Sequence, residues 1–342
     1  MTGIGGFAHH VPPGTHEIEQ ILDAWRLPRP RRFRLAAGGY QNATLLVSCA
    51  AGEFVLRVYT NVDDPSHQRF EHELLRHLAT AELPFAVPRP LPSEDGDTLR
   101  VVGGRLAALF ARIPGELAGP EDTSVRRTGA IALAELDDAL ARIERFDAAV
   151  PSFTGDLAAM HPLVDDLASA AADSGLDLLT ADRLAVSLEE VRALSQPLYA
   201  SLPQQVTHGD FGFGNLLIRD GRIVGFLDFE HSGRDVRAMD LAVGLFRWSP
   251  YGGDALERCD EFGRAYCGRL ALDPTELAAL PALLRLRAGV SFVHWLGRLR
   301  SGLTSPEEVR RRAARALVTR DWVDENGEVL VARALGWIGV RI

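Results

Sequence analysis

Cysteine is scarce and long apolar runs are absent. Cys49, Cys259 and Cys267 are the only cysteines among 342 residues. They are odd in number and lack metal-type spacing, so neither a disulfide framework nor a thiolate metal site is expected, and a reducing compartment suits the chain. Its apolar stretches are broken by charge well before the ~18 residues that a membrane span needs. The N-terminus, MTGIGGFAHHVPPG, has no basic region followed by an apolar one, so no secretory signal is expected. Positive charge is also short. With 37 Lys and Arg against 46 Asp and Glu, the formal net charge is −9, which argues against binding nucleic acid by neutralising phosphates. Two basic clusters, Arg29 to Leu35 and Glu308 to Arg315, read as solvated faces. The expectation is a soluble cytoplasmic protein without nucleic-acid or membrane partners.

The composition, 46% hydrophobic and 24% charged, is that of an ordinary globular protein, and the length leaves room for about two domains. Residues 1–106 read as strand-rich. The stretch RFRLAAGGYQNATLLVSCAAGEFVLRVY gives three β-like runs, broken at Gly38-Gly39 and at Ala51-Gly52. Asp64 and Pro65 then announce a helix carrying SHQRFEHELLRHLA, which VPRPLP stops. A further β-like run, TLRVVGGRLAALFARIPG, leads through residues 107–115 into a larger helical region, 116–342. There RRTGAIALAELDDALARIERF, TADRLAVSLEEVRALSQPLY and ELAALPALLRLRAGVSFVHWLGRLR repeat at helical spacing.

The chemistry concentrates in HGDFGFGNLLIRDGRIVGFLDFEHSG, from His208 to Gly233. Asp220-Gly221 is a two-residue hairpin turn between two strand-like runs. Pairing across it places Asp228 opposite residue 213, one diagonal step from Asn215, so the two side chains are expected within roughly 5–8 Å. A carboxylate and an amide oxygen at that separation suit Mg²⁺, which takes one or two protein groups together with substrate phosphates. Asp210, in the glycine-rich loop just before, is left to orient a hydroxyl. An Asp, an Asn five residues on and a later Asp is the arrangement used in kinase phosphoryl transfer. Taken singly, each of the three would be an ordinary loop, turn or strand-end residue.

Such a site also needs a cation for the nucleotide phosphates, held by a carboxylate. Arg57 is the one cation of the strand EFVLRVY. On the following helix Glu71 lies on the same side as Leu74, Leu75 and Leu78. A carboxylate on an apolar face needs a partner, and Arg57 would supply it. Gly38-Gly39, between two strands, would cover the phosphates or form an ordinary hairpin.

HGDFGFGN, followed by GFLDFEHSG and DLAVGL, resembles the aminoglycoside phosphotransferase family, with its choline kinase-like and homoserine kinase-like members. The likeness extends from GGYQNATLLV to about residue 300. It implies an α+β, bilobal protein-kinase-like fold: an antiparallel-sheet N-lobe with one main helix, a hinge at 107–115 and a mostly helical C-lobe. It also implies transfer of the ATP γ-phosphoryl to a small-molecule hydroxyl. Asp210 would then be the catalytic base, Asn215 and Asp228 the Mg²⁺ ligands, and Arg57 with Glu71 the phosphate-anchoring pair. LFARIPG, with Phe110, resembles the hinge where adenine meets backbone. His208 and Asp240 would support the catalytic loop. The anchoring cation is often Lys in such enzymes and here is Arg, which approaches phosphate differently. Glu230 follows the metal acid where protein kinases have Gly, and no Ala-Pro-Glu occurs, so a protein substrate is not expected.

The acceptor stays open. Arg287, Ser291, His294 and Arg298 fall on one helical stripe, either a solvated basic face or a wall for an acceptor bearing a carboxylate. An amino-alcohol or homoserine-like acceptor is slightly preferred. Glu230, Asp235, Asp254, Glu257, Asp260 and Glu261 would instead suit a polycationic antibiotic such as an aminoglycoside. Two other classes are a non-catalytic ATP-binding sensor and a nucleic-acid scaffold using the arginine clusters.

Overall fold

A computed structural model describes residues 13–36, 42–59, 62, 64–119, 125–143, 150–248 and 251–340. It divides into two units. The first runs to Glu116 and takes in Val150 and Val224–Glu230; the second begins at Leu117 and includes Pro151–Ile223 and the chain from His231.

The first unit is a sheet with two helices. In chain order its elements are α1 (Thr15–Asp23), β1 (Arg32–Leu35), β2 (Ala43–Cys49), β3 (Gly52–Val58), α2 (Ser66–Leu78), β4 (Arg89–Pro90), β5 (Arg100–Val102) and β6 (Arg105–Ala111), with β7 (Glu116–Leu117) at its end. The sheet order is β1-β2-β3-β6-β4, with β5 also on β6, and every pairing is antiparallel. Alternation along β3 decides which side chains serve the core. Leu56 and Val58 pack with Leu45, Val47 and Leu109 against Ile18, Ile21 and Leu22 of α1, while Arg57, one residue out of phase, leaves from the opposite face. Each buried leucine or isoleucine contributes about 1.5–3 kcal/mol relative to exposure. Asp64 starts α2 by accepting the Ser66 N–H at 3.0 Å, and α2 buries Phe70, Glu71, Leu74, Leu75 and Leu78. The returning segment Val224–Glu230 is tied in by Ala86, whose N–H donates to the Val224 carbonyl and whose carbonyl accepts from Phe226, at 3.0 and 2.9 Å.

The second unit is helical apart from short strands. It contains α3 (Val125–Ala141), α4 (Leu167–Ala172), α5 (Leu178–Ser201), β8 (Gln204–Thr207) and β9 (Leu216–Arg219). After the turn come β10 (Arg222–Phe226), which runs on into the first unit's segment, and β11 (Gly233–Val236). Five helices follow: α6 (Met239–Trp248), α7 (Ala255–Cys267), α8 (Pro274–Ala278), α9 (Leu280–Arg300) and α10 (Pro306–Trp337). Strands β8 and β11 pair antiparallel, with Thr207 opposite Gly233, so the segments entering and leaving the hairpin region are held side by side. No helix among the described residues is long and apolar enough to cross a membrane.

Two expectations need correction. The basic clusters are not wholly solvated. Arg31 is nearly fully buried, paired with Glu19 and Asp23 of α1, and Arg315 stacks over Phe246 at 4.1 Å while Arg312 stacks over Trp295 at 4.9 Å. Guanidinium planes tolerate this because they cover aromatic faces while keeping their hydrogen bonds. The run ELAALPALL is two helices, not one, because Pro281 sits in the first turn of α9 and forces a fresh start after α8.

Candidate active site

The loop between β8 and β9 is fixed from behind by one carboxylate. Asp240, fully buried in the first turn of α6, accepts the backbone N–H groups of His208 at 2.6 Å and Gly209 at 2.8 Å. Gly209 sits at φ +78°, and a Cβ there would lie 2.5 Å from the His231 carbonyl oxygen, so only glycine lets the two segments close up. His208 is fully buried and accepts the Asp210 N–H on Nδ1 at 3.3 Å. With its backbone pinned on both sides of Gly209, Asp210 has little freedom left.

The Asp210 carboxylate is held by two guanidiniums. Arg247, at the end of α6, and Arg287, on α9, both donate through Nη2 to Oδ1, at 2.5 and 2.7 Å. Burial alone would raise the pKa of Asp210, but Arg247 and Arg287, helped by His231, reverse that and hold it well below the usual carboxylate range. Both arginines use the same oxygen, Oδ1. Arg247 was missed in the sequence. The signal was there: it is the one cation in the apolar helix MDLAVGLFRW, and such a cation needs an anion.

Asn215 completes this side. Its Nδ2 donates to the Asp210 carbonyl at 2.8 Å, which fixes the amide's orientation and leaves Oδ1 as the atom offered outward. The expected route to this geometry needs correction. Phe213–Asn215 is a turn of 3₁₀ helix and β9 begins at Leu216, while β10 ends at Phe226. Neither Asn215 nor Asp228 is therefore a ladder residue, and cross-strand pairing does not place them. The turn itself is as the sequence indicates, with Asp220 at φ 52° and Gly221 at φ 69°, the double positive φ of a tight hairpin.

In the first unit Arg57 joins two acids. Its Nη1 donates to Glu71 Oε1 at 3.1 Å and its Nη2 to Asp228 Oδ1 at 3.5 Å, while the guanidinium lies 5.7 Å from the Phe110 ring centroid. Burial works against the charge on Arg57, but Glu71 and Asp228 outweigh it and keep the guanidinium firmly protonated. Burial pushes Glu71 up and Arg57 pulls it back; among the described residues Glu71 Oε2 has no hydrogen-bond partner. Asp228 sits at φ 66°, a left-handed conformation that non-glycine residues adopt at a cost and that concentrates at working sites. Phe110 is buried, its backbone register shared with Val55 of β3 and Pro90 of β4. The chain leaves the ladder only after Arg112, whose N–H reaches the Glu53 carbonyl at 3.3 Å. Gly38 and Gly39 lie outside the described residues.

The acceptor stripe on α9 is not a solvated face, which corrects the blander expectation. Arg287 is engaged with Asp210, and Arg298 is buried, stacked on Trp295 with its guanidinium 5.3 Å from the ring. His294 meets the His231 ring edge-on at 5.8 Å. Burial first, then His231 and Arg298, lower its pKa to about 3, so it is neutral at physiological pH. The acidic candidates are committed elsewhere. Glu230 accepts from Asn42 at 2.8 Å, Asp235 from Tyr199. Asp254 pairs with Arg258, Glu257 and Asp260 with Arg333, and Glu261 with Arg126.

Among the described residues no group of three or more His, Cys, Asp or Glu side chains forms a ready cation site. An amide oxygen such as Asn215 Oδ1 and a carboxylate such as Asp228 are each of the donor type that Mg²⁺ accepts.

The chain matches the family model for the phosphotransferase enzyme family over residues 32–283. A curated homoserine kinase of Azorhizobium caulinodans is 28% identical, with 85% of this chain and 87% of that protein aligned. Among solved structures, a microcompartment-associated aminopropanol kinase superposes with a TM-score of 0.67 at 19% identity, covering 93% of this chain and 99% of the other. An amicoumacin kinase, solved with AMP-PNP, Ca²⁺ and its ligand, also gives 0.67, at 16% identity and coverage of 90% and 93%.

Proposed function

The chain belongs to the phosphotransferase enzyme family, and we propose that it moves the γ-phosphoryl of ATP, with Mg²⁺, to the hydroxyl of a homoserine-like amino acid. That it is a small-molecule kinase follows from its relatives; the acceptor, the metal and the residue roles are our reading. Asp210 orients the acceptor hydroxyl through Oδ2 and takes its proton as the O–P bond forms. A carboxylate held so far below its normal pKa is a weak base, which suits a loose transition state in which positioning matters more than proton abstraction. Arg57, buttressed by Glu71, anchors the nucleotide phosphates. Adenine meets backbone just past Arg112, because the Phe110 backbone is already spent in the sheet. Asn215 Oδ1 and Asp228 would hold the Mg²⁺, which when bound neutralises phosphate charge.

The observation that carries the acceptor class is the pair of guanidiniums on one Asp210 oxygen. Two cations facing one carboxylate leave positive charge over, and a second carboxylate is the natural complement. The partnered acids after Asp228 offer no wall for a polycation, so the aminoglycoside reading has less support. The test is ADP release from ATP and Mg²⁺ across homoserine, homoserine methyl ester, choline, aminopropanol and an aminoglycoside. Homoserine should give the highest kcat/KM, the ester should fall at least tenfold, and Arg287→Ala should erase the difference between them. An aminoglycoside or choline turned over better than homoserine would refute the acceptor.

A further inference from the structure

Behind the Asp240 carboxylate that pins the catalytic loop lies a second buried acid. Asp137, on α3, is fully buried like Asp240 and sits within hydrogen-bonding reach of it. Tyr266, on α7, donates its O–H to Asp137 Oδ2 at 2.7 Å, and Gln205 Nε2, on β8, donates to the Asp137 carbonyl at 3.1 Å. Four elements therefore meet at this one residue. Two adjoining buried carboxyls cannot both ionise without a cation between them, and among the described residues Asp137 has no ion pair. Its Oδ1 is buried and, among the described residues, without a hydrogen-bond partner. A proton on this carboxyl resolves both difficulties, because the side chain can then donate to Asp240.

We propose that Asp137 is a positioning residue that stays protonated in the folded enzyme, donates to Asp240, and thereby fixes the carboxylate that holds the His208–Asp210 loop. This rests on the reading of Asp210 as the group that orients the acceptor. Burial first, then the charge of Asp240, pushes the Asp137 carboxyl well above the usual range. The titratable groups facing the pair are Tyr266 and, beside it, Cys267 on α7, with Asp235 and Arg287 beyond Asp240. Tyr266 is itself shifted far up by burial and by Asp137, so it remains a donor. Asp240 keeps both backbone N–H bonds and gains a third donor, a full complement for a buried carboxylate.

The test compares Asp137→Asn with Asp137→Leu. The amide reproduces the protonated acid: its nitrogen donates to Asp240 and its oxygen accepts from Tyr266. Asp137→Asn should keep kcat within about threefold, and Asp137→Leu should lose kcat by more than about tenfold with KM for ATP unchanged, a split expected of lost geometry rather than lost binding. At neutral pH the infrared difference spectrum, wild type minus Asp137→Asn, should show a protonated-carboxyl band. Because the folded pKa lies above the unfolded value near ~3.9, the wild type loses stability as pH rises above it, whereas the amide does not. The Tm advantage of Asp137→Asn should therefore widen between pH 4 and pH 8. Full kcat in a folded Asp137→Leu, equal damage in both variants, a missing band, or a flat Tm difference would each overturn the proposal. The infrared and Tm measurements need no turnover, so they decide the shared proton separately from the role of Asp210, and they decide it even where the leucine variant fails to fold.

Discussion

Arg57, proposed above to anchor the nucleotide phosphates, also has a structural role that can be tested. Its partner Glu71 is buried, with one oxygen already unpaired. Arg57→Ala leaves that carboxylate alone in an apolar setting, and breaking a buried pair this way costs about 3–5 kcal/mol. The expected result is a large drop in Tm together with at least a tenfold weaker ATP affinity by calorimetry; a Tm within a degree of the wild type would show that the pair carries no load. The pairing was legible because each member was out of place alone, a cation on a core strand and an acid among leucines. Arg247 was just as anomalous, but its partner lies 37 residues away on a loop, and no periodicity reaches that far. Asp235 makes the residue-scale case for pH. Burial raises its pKa to about 7, against the hydrogen bonds from Tyr199 and the Val236 N–H. A folded pKa above the unfolded one means stability is full below about pH 4 and is lost as pH rises towards 7. In thermal melts, Asp235→Asn should gain on the wild type across that window and no further above it; a pH-independent difference would contradict the shift.

At the scale of elements, helix contacts are set by small residues opposite large ones. Gly263 of α7 faces Trp337 at the end of α10, where a Cβ would lie 2.3 Å from the indole. Trp337 is also tethered by its Nε1–H to Asp260 at 2.7 Å, so it cannot swing aside freely. Gly263→Ala should cost about 1–3 kcal/mol by overpacking, read as a lower denaturation midpoint with the slope unchanged; a neutral result would mean that the ring shifts without penalty. The strands of the first unit were readable in RFRL, ATLLVSC and GEFVLRV because alternation and glycine breaks agree. The hairpin turn was readable too, but the placement of Asn215 and Asp228 was not. A 3₁₀ turn and a positive φ lie outside the two periods that sequence patterns report, and the strands end before either residue. Helix α10 escaped notice because its arginines at Arg312 and Arg315 read as solvent-facing. They instead lie on aromatic rings, an outcome decided by Trp295 and Phe246 on other helices.

At the scale of the whole molecule, net charge says little about the site. The chain carries −9 overall, yet Asp210 is held by two arginines, while acids such as Glu261 and Asp260 face arginines elsewhere. The motif spacing around Asp210 pointed to the class of chemistry that the family match shows. The acceptor needed the three-dimensional environment of Arg247 and Arg287. The most direct measurement of the central claim is single-turnover phosphoryl transfer by Asp210→Asn beside its ATP affinity with Mg²⁺. The account predicts a fall in rate of about 10²–10⁴ with ATP affinity changed by no more than a few-fold. A variant that transfers phosphate at the wild-type rate would contradict it.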